Sequence, residues 1–182
     1  ALKGWLKNRS DFAKKMKVYI GIEQEYFLIK KELFDQRPDL RICKRTLLGL
    51  PPIKGQLMED HYFSSIKPQV LAFMEDLDMQ LFRRGIPVKT RHNEVAPNQF
   101  ELAPLYEESN SAVDHNLQIM DLMQRIAEKH GLAAVLHEKP FETLNGSGKH
   151  VNWSIGDNTG ANYLEPSKSP LKNITFLLTV AA

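Results

Sequence analysis

The sequence predicts an α+β fold, and three features support this class. Two long stretches carry apolar residues at helical spacing, and several shorter stretches are rich in β-branched and aromatic residues. Ala96-Pro97-Asn98 forms a short turn between two of the predicted strands. Because a short turn joins strands in antiparallel order, we expect a largely antiparallel sheet flanked by helices rather than a doubly wound sheet.

The composition is that of an ordinary globular domain. The chain has 182 residues, of which 42% are hydrophobic and 25% are charged. These values exclude collagen-like, disordered and disulfide-stapled chains, and they predict one hydrophobic core. The net charge of +2 gives no reason to expect a nucleic-acid partner.

The location of the protein is predicted from three features of the sequence. Cys43, the one cysteine, cannot form an internal disulfide, which fits a reducing compartment. Charged residues interrupt positions 1–10, so they lack the apolar core of a signal peptide. The apolar run at 174–182 is far shorter than the roughly 20 residues that cross a bilayer. We therefore expect a soluble, cytoplasmic protein with no membrane partner.

The first predicted strand covers residues 18–29, VYIGIEQEYFLI, and is expected to be buried on both faces. Side-chain alternation places Glu23 and Glu25 on the same face. Two neighbouring carboxylates on an apolar strand repel each other and lose hydration. The strand is then an exposed edge, or basic side chains pair with the carboxylates, or a divalent cation binds them.

Two helices are predicted further along the chain, and a glycine follows each. One covers 66–84 with Ser64 or Ser65 as its cap, and the other covers 111–130 with Asn110 as its cap. The predicted apolar stripes are Ile66, Val70, Phe73, Met74, Leu77 and Leu81 in the first helix, and Val113, Leu117, Met120 and Ala127 in the second.

The remaining segments divide into strands, loops and a last helix. Residues 30–62 show no clear periodicity and predict a long loop or insertion. Further strands are expected at 86–95, 99–102, 132–138 and 150–155, and a helix is expected to begin at Pro170. In the strand 150–155, alternation predicts a polar face of His150, Asn152 and Ser154 and a core face of Val151, Trp153 and Ile155.

Glu94 and Glu101 flank the predicted turn, so they could face one point from two antiparallel strands. Taken alone, Glu101 would be a solvated hairpin residue, His92 a partner of a neighbouring backbone group, and His150 a structural histidine. Together, four carboxylates and one imidazole could form two divalent-metal sites that clamp phosphate oxygens. The NGSG segment at 145–148 lacks P-loop spacing, so phosphate binding would depend mainly on metals.

Three ordered segments resemble those of glutamine synthetases, and in particular the long-chain type III form. GIEQEYFLI resembles the E-x-E strand of that family, and NEVAPNQFELAP resembles its E-V-A/M-P-x-Q-x-E segment. HEKPFETLNGSGKHVNWS resembles its K-P…N-G-S-G-x-H-x-N-x-S segment, and KGQLMEDHYFSSI is similar to a type III signature. The resemblance covers essentially all of the chain.

The resemblance implies a curved sheet and a reaction with two chemical steps. ATP phosphorylates the γ-carboxylate of glutamate, and ammonia then displaces phosphate to give glutamine. The implied metals are Mg²⁺ or Mn²⁺. The positions carried over from the family are Glu25, Glu94 and Glu101 for the first metal, Glu23 and His150 for the second, Asn145 and Gly146 for glutamate, and Asn152 and Ser154 for ATP.

The resemblance also implies parts that the sequence does not contain. In the family, a downstream glutamate completes the second metal site, several arginines hold the phosphoryl group, and a small N-terminal β-grasp domain completes the site of a neighbouring subunit. We therefore expect residues 1–182 to be a partial catalytic domain from a homo-oligomer of stacked rings. Alone, such a chain should bind metal weakly and lack turnover.

Two other functions remain open at this point. A related ligase could join glutamate to a different amine, because the visible motifs do not encode the acceptor pocket. A non-catalytic relative could keep the fold as a scaffold. All five visible ligand positions are retained, which argues against a scaffold, since a scaffold gains nothing from carboxylates that repel one another.

Overall fold

The computed structural model describes residues 15–182, and its central element is the strand β1 (Met16–Lys30). β1 contains the predicted strand 18–29 and extends it at both ends. Residues 24–28 are buried on both faces, as predicted, whereas Met16 and Val18 are exposed. The prediction for residues 1–10 lies outside the described residues.

The segment after β1 is more regular than predicted. Where a long loop was expected over 30–62, the structure has two short helices, α1 (Lys31–Asp35) and α2 (Pro38–Cys43), and a 3₁₀ turn at Leu57–Glu59. Helices of five or six residues are too short to show apolar periodicity, which explains the wrong prediction.

Two longer helices, α3 (Pro68–Phe82) and α4 (Ser109–Lys129), pack on one face of the sheet. Their N-termini differ from the prediction, since Lys67 and Glu108 precede them and neither makes a side-chain cap. Pro68 fits the first helical position because its missing N–H would be unpaired there anyway. The main core between helices and sheet contains Tyr26, Leu28, Phe73, Leu77, Phe100, Leu102, Ile119 and Met123.

The sheet has six strands within residues 15–182, and every pairing is antiparallel. The fold class predicted from the sequence is therefore confirmed. The predicted hairpin is also present, with Asn98 in its turn at φ 57°. Along one edge, β1 pairs with β3 (Gln99–Pro104) and with β4 (Glu107–Glu108). Along its other edge, β1 pairs with β6 (Lys149–Asp157) and with β5 (Leu132–Val135). The strand β2 (Val88–Asn93) pairs with β3 and extends the sheet on that side.

The predicted apolar stripe of α4 is wrong in phase. Val113 and Leu117 are exposed by 46% and 61%, while Ala127 is buried as predicted. The buried face includes a polar residue, Asn116, and a small one, Ala112. The spacing of large apolar residues therefore does not predict this face. The buried residues of α4 are Ala112, Asn116, Ile119, Leu122, Met123, Ile126 and Ala127.

The predicted core face of β6 is also wrong. Val151 and Trp153 are exposed by 51% and 57%. They lie opposite Ile22 and Ile20, on the helix-bearing face of the sheet. Within the described part of the chain, however, α3 and α4 pack mainly against the other strands. Alternation identifies a face, but it does not show whether another element covers that face.

The last segment folds as a 3₁₀ turn, Pro170–Lys172, followed by the helix α5 (Ile174–Ala181). The helix therefore begins later than predicted. Asn173 caps it by accepting a hydrogen bond of 3.1 Å from the Phe176 N–H. Among the helices of residues 15–182, none combines the length and apolar character needed to span a membrane.

Candidate metal centre

The register of three strands brings the first predicted ligands together. Glu23 and Glu25 point to the face of β1 opposite α3 and α4, as alternation predicted. Glu25 lies opposite Glu101 on β3, and Glu23 lies opposite His150 on β6. Opposed residues of antiparallel strands have Cβ atoms only about 4.5–5.5 Å apart. These four side chains therefore share one region of the sheet surface.

The imidazole of His150 lies among three carboxylates. Its Nε2 is 3.5 Å from Glu25 Oε1, and its Nδ1 is 3.6 Å from Glu23 Oε2 and 3.7 Å from Glu101 Oε2. Candidate ligand atoms of Glu23, Glu101 and His150 all lie within 4.8 Å of one another, a spacing that could hold a metal ion.

A second group forms where the hairpin begins. His92 lies opposite Glu101, with its Nε2 3.2 Å from Glu101 Oε1, and Glu94 follows directly after β2. The Nδ1 of His92 is 3.6 Å from Glu94 Oε1 and 3.0 Å from the Asn93 carbonyl. His92, Glu94 and Glu101 therefore also place candidate ligand atoms within 4.8 Å of one another, and Glu101 belongs to both groups.

Burial and mutual repulsion disfavour the charged forms of two carboxylates in the centre. Burial raises the pKa of Glu94 above its ordinary value, and the charge of Glu25 raises it further. Burial likewise raises the pKa of Glu101, together with the charges of Glu23 and Glu94. A divalent cation would reverse this effect, because positive charge favours the ionised carboxylates. The donor set therefore fits a metal electrostatically as well as geometrically.

The glycine-rich loop at 145–148 lies against Glu25. The Gly148 N–H donates a 3.0 Å hydrogen bond to Glu25 Oε2, and the Gly148 carbonyl accepts one of 3.1 Å from the Glu25 N–H. A Cβ at Gly146 would lie 2.9 Å from the Glu138 carbonyl oxygen, so a side chain cannot fit there. Asn145 exchanges two hydrogen bonds with the Gln56 side chain, of 2.8 and 3.0 Å.

Asn152 and Ser154 continue the site face of β6 beyond His150. The Asn152 amide donates a 2.7 Å hydrogen bond to Glu23 Oε1. Ser154 lies opposite Tyr19. Since a strand rises about 3.4 Å per residue, Ser154 lies roughly 14 Å along the strand from His150. The predicted nucleotide positions therefore line an extended strip that starts at the acidic centre.

Sequence reasoning missed two side chains that reach the centre. The expected backbone contact of His92 is present, since its Nδ1 lies 3.0 Å from the Asn93 carbonyl, but the ring also reaches Glu94 and Glu101. Gln99 was not singled out, although it lies two residues before Glu101 and its side chain reaches Glu25. The two-residue spacing to a predicted ligand was the available signal in both cases.

Comparison with known proteins identifies the family. Residues 6–180 match the family described as "Glutamine synthetase, catalytic domain". The chain belongs to the glutamine synthetase catalytic-domain family. The resemblance drawn from the three motifs is therefore confirmed.

Glutamine synthetases of two organisms illustrate the similarity in sequence. The chain is 59% identical over 159 residues to the glutamine synthetase of Butyrivibrio fibrisolvens. The aligned region covers 87% of the chain and 23% of that protein. It is 47% identical over 169 residues to the type-3 glutamine synthetase of Dictyostelium discoideum, covering 93% of the chain and 23% of that protein. The chain thus spans about a quarter of the length of these relatives.

The fold is also found in a solved structure of GmaS without ligand. The TM-score is 0.66 at 24% identity, and the match covers 92% of the chain and 36% of GmaS. At this identity the comparison shows the fold alone, and it agrees with the α+β arrangement of sheet and helices.

Proposed function

We propose that the protein containing this chain is a glutamate–ammonia ligase that makes L-glutamine from L-glutamate, ammonia and ATP. ATP phosphorylates the γ-carboxylate of glutamate, and ammonia then displaces phosphate from γ-glutamyl phosphate. The main support is the convergence of acidic side chains and an imidazole on one sheet face beside a glycine-rich loop. The converging residues are Glu23, Glu25, Glu94, Glu101 and His150.

The proposed cofactors are Mg²⁺ or Mn²⁺, because hard divalent cations prefer carboxylate oxygens. We assign Glu25, Glu94 and Glu101 to one cation, and Glu23 and His150 to a second. When bound, such cations supply positive charge that offsets the negative charge of the phosphate oxygens during phosphoryl transfer.

The residues around these ligands position the substrates in this proposal. Asn145 and Gly146 contact glutamate at the edge of the acidic centre, where the lack of a Gly146 side chain keeps the loop close to Glu138. Asn152 and Ser154 contact ATP. The Asn152 amide also orients Glu23 through its 2.7 Å hydrogen bond.

We further propose that residues 1–182 are part of a larger catalytic domain in a cytoplasmic homo-oligomer of stacked rings. In that case a β-grasp domain and a downstream glutamate and arginines complete the site. The isolated chain should bind metal weakly and make no glutamine. A robust ATP- and ammonia-dependent yield of glutamine from this chain alone would contradict the proposal.

The deciding experiment is Glu94→Ala in the full-length protein, followed by ATP-dependent glutamine formation. We expect a loss on the order of 100-fold, because the variant removes a charged group from the reacting centre. Glu108→Ala is the matched control, since Glu108 is an exposed carboxylate on the same sheet and pairs with Lys17. An unchanged rate in Glu94→Ala would contradict the placing of Glu94 in the reacting centre. No glutamine formation by the wild-type protein would favour a non-catalytic scaffold, and a preference for alkylamines or polyamines over ammonia would indicate the related amine ligase.

A further inference from the structure

Gln99 is a fully buried residue of β3, with 0% exposure, on the same face as Glu101. Its side chain makes three contacts. Gln99 Oε1 accepts a hydrogen bond of 3.3 Å from the Ala96 N–H in the hairpin turn. Gln99 Nε2 donates to the Gly146 carbonyl at 2.8 Å and to Glu25 Oε2 at 3.4 Å. One amide group thus connects the hairpin turn, the glycine-rich loop and a proposed metal ligand.

The contacts of Glu25 are divided between its two oxygens. Oε2 receives both hydrogen bonds, from Gln99 Nε2 and from the Gly148 N–H at 3.0 Å. Oε1 faces the acidic centre and lies 3.5 Å from His150 Nε2. Because donors engage Oε2, the carboxylate cannot rotate freely, and Oε1 is held toward the centre.

We propose that Gln99 is a positioning residue for the metal centre. It holds Oε2 of Glu25 so that Oε1 is presented to a cation, and it ties the glycine-rich loop to the hairpin that carries Glu94 and Glu101. A neutral amide suits this role because it donates to two oxygens while accepting from a backbone N–H. The inference rests on the proposed function, in which Glu25 is a metal ligand.

Gln24 offers a matched control. It is also fully buried, and its Nε2 donates to the Glu25 carbonyl at 2.7 Å and the Gly148 carbonyl at 3.4 Å. It therefore supports the same strand and loop through backbone atoms, while only Gln99 of these two glutamines bonds to the Glu25 carboxylate. If Gln99 only supported the strand and the loop, the two variants would affect Mn²⁺ binding alike. A positioning role predicts that only the Gln99 variant weakens Mn²⁺ binding.

The test compares Mn²⁺ binding by the full-length wild-type protein, Gln99→Met and Gln24→Met. Electron paramagnetic resonance measures free Mn²⁺, from which bound Mn²⁺ is obtained by difference, and thermal unfolding without metal measures the loss of stability. We expect Gln99→Met to weaken Mn²⁺ binding about 10- to 100-fold, as for other groups that orient a metal ligand. Gln24→Met should keep its Mn²⁺ affinity within about 3-fold of wild type, because the Gln24 side chain bonds to backbone carbonyls and not to the Glu25 carboxylate.

A double-mutant cycle tests whether Gln99 acts through Glu25. In a Glu25→Gln background, Gln99→Met should weaken Mn²⁺ binding no further. If Gln99→Met fails to fold, Gln99→Asn replaces it, because it keeps an amide and withdraws it by one methylene. The inference about Gln99 is overturned if the Gln99 variant binds Mn²⁺ as tightly as wild type. It is also overturned if the Gln99 and Gln24 variants lose Mn²⁺ affinity equally, and in either case the proposed function is unaffected. A wild-type protein that binds no Mn²⁺ overturns the proposed function together with it.

Discussion

Glu101 is the side chain shared by both groups of candidate ligands. It is 5% exposed and lies between Phe100 and Leu102, which point into the core on the other face of β3. Burying a carboxylate among other carboxylates is unfavourable, and the raised pKa of Glu101 reflects this cost. Such a stability cost is typical of residues that serve a functional site.

Replacing Glu101 should therefore stabilise the metal-free protein. We expect Glu101→Gln to raise the free energy of unfolding by about 1 kcal/mol at pH 8 without metal, because it removes a buried charge and keeps the shape. Mn²⁺ binding should weaken in the same variant. Urea denaturation with a chelator measures the first effect, with exposed Glu108→Gln as the control. A loss of metal-free stability would show that Glu101 is structural.

Asp157, the last residue of β6, makes a pH-dependent contribution to the stability of the fold. Its Oδ1 accepts hydrogen bonds from the Thr159 hydroxyl at 2.5 Å and the Thr159 N–H at 2.7 Å, and Oδ2 accepts one of 2.6 Å from the Tyr163 hydroxyl. These bonds lower the pKa of Asp157 from 3.8 to about 2. The ionised form is therefore favoured by folding.

The stability due to Asp157 should be fully present above pH 3.8 and disappear as the pH falls through about 2. We expect Asp157→Asn to be less stable than wild type at pH 6, and the difference to shrink steadily as the pH falls below 3.8. Urea midpoints across this range test the prediction. Asp35→Asn, in an exposed pair with Lys31, should show little difference at any pH. A difference between Asp157→Asn and wild type that is independent of pH would contradict this account.

At the level of elements, strand register assembles the acidic centre and tertiary packing selects the helix faces. The pairs Glu25–Glu101 and Glu23–His150 follow directly from two antiparallel registers. A slip of one residue would send these side chains to the helix-bearing face. In α4, by contrast, apolar residues occur on both faces, and burial against the sheet decides which of them contribute to stability.

Two substitutions on α4 should distinguish its buried face from its exposed face by their effects on the free energy of unfolding. Ile119→Ala should cost about 2–5 kcal/mol of unfolding free energy, because Ile119 is fully buried and its removal leaves a cavity. Leu117→Glu should change stability by less than about 0.5 kcal/mol, because Leu117 is 61% exposed. Chemical denaturation of both variants provides the measurement. A large loss in Leu117→Glu would mean that another surface covers this face.

At the level of the whole molecule, the proposed metal centre would couple cation binding to folding. It joins side chains from β1, β3 and β6 and the end of β2, so a bound cation would link strands that are distant in sequence. A ligand that binds the folded protein and not the unfolded chain stabilises it by mass action.

Mn²⁺ should therefore raise the melting temperature of the full-length protein. At 100 times the dissociation constant we expect about 2.7 kcal/mol of stabilisation, and a chelator should reverse it. The Glu94→Ala variant should show a much smaller rise, whereas Glu108→Ala should respond like wild type. Differential scanning calorimetry with and without Mn²⁺ makes the comparison, and an equal rise in Glu94→Ala would place the bound ion elsewhere.

The fold class, the hairpin and the two long helices could be predicted from the amino-acid sequence. So could the proximity of five side chains, Glu23, Glu25, Glu94, Glu101 and His150. Strand propensity, alternation and turn chemistry act locally, so they can be recognised along the chain. The exposure of Val113, Leu117, Val151 and Trp153 could not be predicted in this way. For His92 and Gln99, the two-residue spacing to a predicted ligand indicates the face of the strand, but the contacts with the centre depend on strand pairing. Coverage of a face and register between strands depend on contacts between residues far apart in sequence, and no local pattern encodes them.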